Sequence, residues 1–113
     1  MTRYLISFDD GDMTFPEEDL PAVADASHAV VREAKAAGVW IWGGGLLDFR
    51  EMSVVGTDGT VTDGPRPDKE RYIGGFSILD VPSRGDALAW AAKIAAACRC
   101  AQEVREIMYD PES

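Results

Sequence analysis

Apolar residues recur along this chain with two periods, which predict four main strands and two helices. Residues that favour β-structure cluster in four runs, at Arg3–Phe8, Val39–Trp42, Gly74–Val81 and Glu103–Tyr109. Apolar residues recur at helical spacing in two longer segments, Glu17–Ala37 and Arg84–Ala97. Pro16 and Ser83 are typical of helix starts, and Gly38 is typical of a helix end. The predicted order is therefore β-α-β followed by β-α-β.

The segment that joins the two halves is predicted to contain a β-hairpin. Gly43, Gly44 and Gly45 permit a bulge or a sharp bend after the second strand. Met52–Val55 and Thr60–Thr62 then flank an Asp-Gly pair that favours the positive φ angles of a hairpin turn. Residues 63–70 are rich in Gly, Pro and charge, and we expect them to form an exposed connection.

This order matches the split βαβ, or ferredoxin-like, plan of an α+β fold, in which an antiparallel sheet carries both helices on one face. Alternation along the second strand places Trp40 and Trp42 on one face, and Val39 and Ile41 on the other. Both faces then carry large apolar groups, and burying each would contribute about 1.5–3 kcal/mol. A second copy, packed sheet on sheet around a two-fold axis, is the expected cover.

Composition and charge narrow the class of protein. The chain has 113 residues, 46% of them hydrophobic, which suits one globular domain spanning residues 1–113. Its formal net charge of −9 disfavours nucleic acid and anionic membrane surfaces as partners. No run approaches the roughly 20 apolar residues of a membrane span. The first ten residues also lack the layout of a signal peptide, so we expect a cytoplasmic protein.

Metal and cofactor chemistry have little support in the sequence. Cys98 and Cys100 are too close together for a well-formed disulfide, so we expect free thiols. One histidine and two cysteines do not complete a four-ligand zinc site. We therefore predict no disulfide and no structural metal.

His28 is the single histidine and the first candidate for proton transfer, because imidazole titrates near neutral pH. It lies at the margin of the apolar stripe of the first helix, so it is either a catalytic acid/base or a solvated boundary residue. Asp48 and Asp63 are candidates to orient it, since each ends an apolar run. Asp63 has the alternative role of a turn residue.

Aromatic residues and glycines suggest where a ligand would bind. Trp40, Trp42 and Phe76 either line an aromatic pocket or belong to the core or a dimer interface. Gly74 and Gly75 allow the close approach of a ligand or of another strand. We treat all five as candidate ligand-binding residues.

Several short motifs occur in an order that resembles one protein family. They are Asp63-Gly64-Pro65, Lys69-Glu70, Gly74-Gly75-Phe76-Ser77-Ile78-Leu79-Asp80-Val81, Ala87-Leu88-Ala89-Trp90-Ala91 and Glu103-Val104-Arg105. Together they resemble the DGPF-motif branch of the YCII-related family over nearly the whole chain. Arg66 stands where that motif has phenylalanine, which replaces an aromatic ring with a cation beside the expected pocket.

The resemblance implies a dimeric α/β barrel of ferredoxin-like subunits with a cleft for catalysis or ligand binding, and it implies no cofactor. Ser27-His28 with the following glycines is also similar to the part of the wider family that carries a histidine proposed to pair with an aspartate. Two functions stay open. One is a small-molecule enzyme of lyase, isomerase or hydrolase type that uses His28, and the other is a non-catalytic homodimeric module that holds a small ligand. A purely structural role is third.

Overall fold

The computed structural model describes residues 1–113 and contains a four-stranded sheet, a two-stranded hairpin and two helices. The strands are β1 (Thr2–Asp9), β2 (Trp40–Gly45), β3 (Ser53–Val55), β4 (Val61–Asp63), β5 (Ile73–Val81) and β6 (Glu103–Glu106). The helices are α1 (Leu20–Ala36) and α2 (Arg84–Cys98). All the predicted elements are therefore present, and neither helix is long and apolar enough to cross a membrane.

The ends of the helices follow from particular residues. The predicted first helix began at Glu17, but its first three residues form a 3₁₀ turn. Pro21 has no N–H to bond the Glu17 carbonyl, which accepts from the N–H of Leu20 instead. At the start of α2, the Ser83 hydroxyl accepts from the N–H of Asp86, as expected of an N-cap.

The main sheet has the strand order β2-β5-β1-β6, and every neighbouring pair is antiparallel. Each βαβ unit is split by a strand of the other unit, because β5 lies between β1 and β2. Both helices pack on one side of this sheet, since Ala34 of α1 and Ala87 of α2 share one core cluster with Tyr4 of β1. The mixed α/β architecture with an antiparallel sheet is confirmed.

The core lies between the helices and the two central strands. Ile6, Leu79 and Val81 have no exposed surface, so each contributes about 1.5–3 kcal/mol by burial. Small residues of α2, Ala87 and Ala91, face them and allow the helix to approach the sheet closely. This rigid layer supports the edge strand β2, where the candidate site lies.

Strand β2 departs from the prediction in a way that matters for the site. The glycines do not end the strand, because Gly43 to Gly45 pair with β5. The register shifts at Ile41, between Trp40 and Trp42. One extra residue reverses the alternation, so the prediction that both tryptophans share a face was wrong. Trp40 opposes Leu79 on the helix-covered side, whereas Trp42 opposes Ile78 on the other.

The side of the sheet away from the helices, here called the open face, carries two rows of side chains across the strands. One row comprises Trp42, Ile78, Leu5 and Arg105, and the next comprises Gly44, Phe76, Ser7 and Glu103. The Trp42 and Phe76 rings are 5.4 Å apart, and Trp42 remains 64% exposed. The open face is therefore partly apolar in the single chain.

The predicted hairpin forms beside the main sheet. Strands β3 and β4 pair from Ser53 with Asp63 to Val55 with Val61. Gly59 has a φ of 85°, which the turn requires and which side chains other than glycine rarely adopt. The hairpin forms its own two-stranded sheet, so the Asp63 motif lies outside the main sheet.

Candidate functional site

A cleft of about 530 Å³ lies where α1 meets the edge strand β2. Residues from β1, α1, β2, β5, α2 and the segments that follow β1 and α2 line it, among them Phe8, Met13, Ser27, His28, Val31, Lys35, Trp40, Trp42, Gly43, Phe76, Ser77, Cys98 and Gln102. Its size falls within the range of small-molecule sites. The lining combines aromatic surface with a few polar groups, as such sites commonly do.

Three glycines of β2, Gly43 to Gly45, line the cleft. A Cβ on Gly43 would lie 2.4 Å from the Phe76 carbonyl oxygen and 3.1 Å from the Trp40 ring. A Cβ on Gly44 or Gly45 would meet nothing within 4 Å. Gly43 is therefore required for close strand packing, while Gly44 and Gly45 leave the edge of the sheet open to the cleft.

Helix α1 forms the opposite wall through one stripe of residues. His28, Val31 and Lys35 are spaced three and four apart, so they lie along the same side of the helix. His28 is exposed at this wall, and its side chain makes no hydrogen bond within the protein. Its imidazole is free to bond a ligand.

The two aspartates proposed to orient His28 have other partners. The Asp48 carboxylate accepts from the Arg50 backbone N–H at 2.9 Å and from its guanidinium at 2.6 Å. These bonds lower the pKa of Asp48 to about 2. Asp63 accepts from the Ser53 hydroxyl at 2.8 Å, within the hairpin. Neither aspartate lines the cleft, and no hydrogen bond joins either one to His28.

The other candidate residues divide into two groups. Trp40, Trp42 and Phe76 line the cleft with His28. Gly74 and Gly75 do not, and their role is close packing, because a Cβ would lie 2.8 Å from the Asp10 backbone or 2.5 Å from the Phe8 ring. Arg66 is also elsewhere: its backbone N–H donates to the Tyr72 hydroxyl, and its guanidinium lies 3.3 Å from Asp68.

Several lining residues were not foreseen from the sequence. Lys35 follows His28 by seven residues, or two helical turns, and this spacing was a usable signal. Cys98 approaches the cleft only through the packing of α2 on α1, where its Sγ lies 3.5 Å from the Ser27 Oγ. The single Ser27 hydroxyl proton is donated to the Val23 carbonyl at 2.9 Å. The Cys98 thiol is therefore the donor to Ser27.

A second depression of about 480 Å³ lies at the other end of the sheet. Arg3, Asp80 and Tyr109 help to line it, and the Oδ1 atom of Asp80 is buried without a hydrogen-bond partner. It has neither histidine nor cysteine, which makes it the poorer candidate for acid–base chemistry. No group of three or more potential metal ligands occurs in the structure.

The fold and the cleft describe a small α/β protein with an aromatic, histidine-bearing cleft at a sheet edge. The sequence model of the YCII-related domain family matches residues 2–109, and the chain belongs to that family. A comparison with curated proteins found no sequence relative.

One similar solved structure is 5-chloro-2-hydroxyhydroquinone dehydrochlorinase (TftG) from Burkholderia phenoliruptrix AC1100, in complex with 2,5-dihydroxybenzoquinone. Its sequence is 17% identical to this chain, and the alignment covers 97% of this chain and 97% of that chain with a TM-score of 0.52. At this identity the likeness concerns the fold.

Proposed function

We propose that this protein is a small-molecule enzyme of the lyase, isomerase or hydrolase type, with His28 as general acid/base. The observation that carries the proposal is the position of the only histidine in the wall of a ligand-sized aromatic cleft. A side chain with no hydrogen bond inside the protein is available to exchange a proton with a bound molecule. Trp40 would hold that molecule against the helix-covered side of β2.

The similar solved structure supports this class of chemistry. A dehydrochlorinase removes a proton and a chloride ion from its substrate, so it needs a group that accepts the proton. An imidazole in a cleft can accept a proton at neutral pH. Since the likeness is one of fold, the reaction of this chain is proposed from its own His28 and Trp40.

A catalytic role for Asp48 or Asp63 requires a rearrangement. Asp48 would have to leave Arg50, and Asp63 would have to leave Ser53. The absence of a carboxylate bonded to His28 favours the second candidate function, a non-catalytic module that binds a small ligand in the same cleft. Arg66 would contribute to either function only if the connection between β4 and β5 moved, whereas Gly74 and Gly75 are held within β5.

We also propose that the protein is a homodimer in which two open faces pack around a two-fold axis as a dimeric α/β barrel. Ile78 and Leu5 form an apolar strip across the middle of that face, with Trp42 at its edge. The strip is flanked by Arg105 and Glu103, so both signs of charge are present on one surface. Opposite charges on one patch are compatible with a self-complementary interface, in which the same patch of each copy meets the other.

Four further assignments are proposals of the same kind. The Asp63-Gly64-Pro65 motif supports placement in the DGPF branch of the family. We propose that residues 1–113 act as one cytoplasmic domain, that it needs no cofactor or metal, and that it does not bind nucleic acid.

The function is tested by a thermal-shift screen of small aromatic and aliphatic compounds, including 2,5-dihydroxybenzoquinone, followed by turnover assays on the hits. We expect hits to stabilise wild-type protein and to lose most of that effect in His28→Ala. The control is Arg32→Ala, on the same helix but outside the cleft. Equal stabilisation of all three proteins would refute a role for His28, and binding without turnover would support the second function.

The dimer is tested by light scattering at micromolar concentration. We expect twice the monomer mass for wild type and a monomer for Ile78→Asp, which places a charge in the apolar strip. Leu88→Asp is the control, because Leu88 is exposed on α2, in the helical layer. A stable wild-type monomer would contradict the proposal.

A further inference from the structure

The charge of the cleft differs from that of the rest of the chain. The sequence has 20 acidic residues against 11 lysines and arginines. None of the residues that line the cleft is acidic, while His28 and Lys35 are both potential cations. A molecule in this cleft therefore meets only neutral or positive side chains, in a protein whose overall charge repels anions.

The two cations are not committed to partners within the protein. Five of the other basic side chains each form an ion pair with an acidic residue: Arg50, Arg66, Arg71, Lys93 and Arg99. Lys35 forms none, although it lies in the last turn of α1, where a cation also interacts favourably with the helix dipole. That effect explains a positive charge near this helix end but leaves the ammonium group free for a ligand.

The shape of the lining limits what such a ligand looks like. Trp40 is half-buried on the helix-covered side, and the Trp42 and Phe76 rings meet at the other margin of β2. Aromatic side chains pack favourably against a planar ring, by offset stacking or edge to face. His28 and Lys35 are about 10 Å apart along α1 at 1.5 Å per residue, and both line the same cleft as these rings.

We propose that the cleft selects small planar aromatic anions, that is, a ring bearing a carboxylate or an ionised phenol, with Lys35 as the residue that recognises the charge. This inference rests on the proposed function, in that it takes the His28 cleft as the ligand site. The aromatic wall binds the ring, and the uncommitted ammonium group of Lys35 binds the acidic substituent.

Backbone amide NMR titrations with four probes test the inference: benzoate, benzamide, benzylamine and cyclohexanecarboxylate. We expect benzoate to shift the amides of Gly44 and Ser77 and to bind at least tenfold more tightly than each of the other three. Lys35→Met should reduce benzoate affinity to the level of benzamide, and Lys35→Arg should retain it. Arg32→Met removes a second unpaired cation of α1 from outside the cleft and should change affinity less than twofold.

Any other result overturns the inference, and each such failure can be told apart from a failure of the proposed function. Equal binding of benzoate and benzamide, or tighter binding of benzylamine, would refute anion selection while leaving a cleft that binds small molecules. An equal loss of benzoate affinity in Lys35→Met and Arg32→Met would show that the overall charge of the protein, and not Lys35 in particular, determines binding. If no probe shifts the cleft amides, this ligand class is wrong, and the thermal-shift screen with His28→Ala still judges the function.

Discussion

Replacing Gly43 with alanine should destabilise the protein, although alanine is acceptable at most strand positions. The added Cβ would lie 2.4 Å from the Phe76 carbonyl oxygen and 2.8 Å from the Ser77 Cα. Carbon–oxygen contacts normally measure about 3.3 Å or more, so β2 must move from β5 by roughly 1 Å. Both obstructing atoms belong to the backbone and cannot rotate away.

The magnitude follows from the usual cost of overpacking, about 1–3 kcal/mol. For a domain of this size we expect the melting temperature to fall by roughly 4–12 °C. Gly45→Ala is the matched control, because Gly45 lies two residues along the same strand, faces the same side and has open space around the missing Cβ. It should be neutral or slightly stabilising, by up to about 1 kcal/mol, through the unfolded state.

Thermal unfolding followed by circular dichroism, with urea titration as a second measure, gives the stability of Gly43→Ala and of Gly45→Ala relative to wild type. The reasoning would be refuted if Gly43→Ala and Gly45→Ala unfolded at the same temperature. The same displacement should also disturb the Trp40 ring, which lies 3.1 Å from the added Cβ. A stable Gly43→Ala protein with an unchanged tryptophan environment would mean that β2 is not held as closely as described.

Three further predictions concern other parts of the molecule. Ser83→Ala removes the acceptor for the Asp86 N–H and should cost about 0.5–2 kcal/mol in urea unfolding, whereas Ser83→Thr should cost less. The Asp48 carboxyl should titrate by NMR near pH 2, and Arg50→Gln should raise its pKa. Because folding lowers this pKa, the pair stabilises the fold above about pH 4 and loses its effect as pH falls towards 2. Burial, and after it the neighbouring Cys98, raises the pKa of the Cys100 thiol. Burial remains in Cys98→Ser, so at pH 8 Cys100 in that variant should react more slowly with iodoacetamide than free cysteine does, and an equal rate would be a contradiction.

The sequence predicted the elements of the fold because their signals are local. The helical stripe of α1, the Ser83 cap and the Asp-Gly turn each depend on a few neighbouring residues. The faces of β2 could not be predicted in the same way. The composition of a strand does not reveal a bulge. The bulge in β2 depends on how this strand pairs with β5, which lies far along the chain.

The candidate site was only partly predictable for the same reason. His28 and Trp40 were identified by residue type, and the structure places both in one cleft. The partnership with Asp48 or Asp63 was inferred from chain order, whereas nearby Arg50 and Ser53 bind those carboxylates. A long-range pairing depends on how loops are positioned, which short motifs do not encode.

A crystal structure of the protein with a compound that stabilises it most directly tests the claim that the His28 cleft is the functional site. We predict that the compound lies between α1 and β2, in contact with the Trp40 ring and within hydrogen-bond distance of His28. A compound bound in the depression beside Arg3 and Tyr109, with the His28 cleft empty, would contradict the claim.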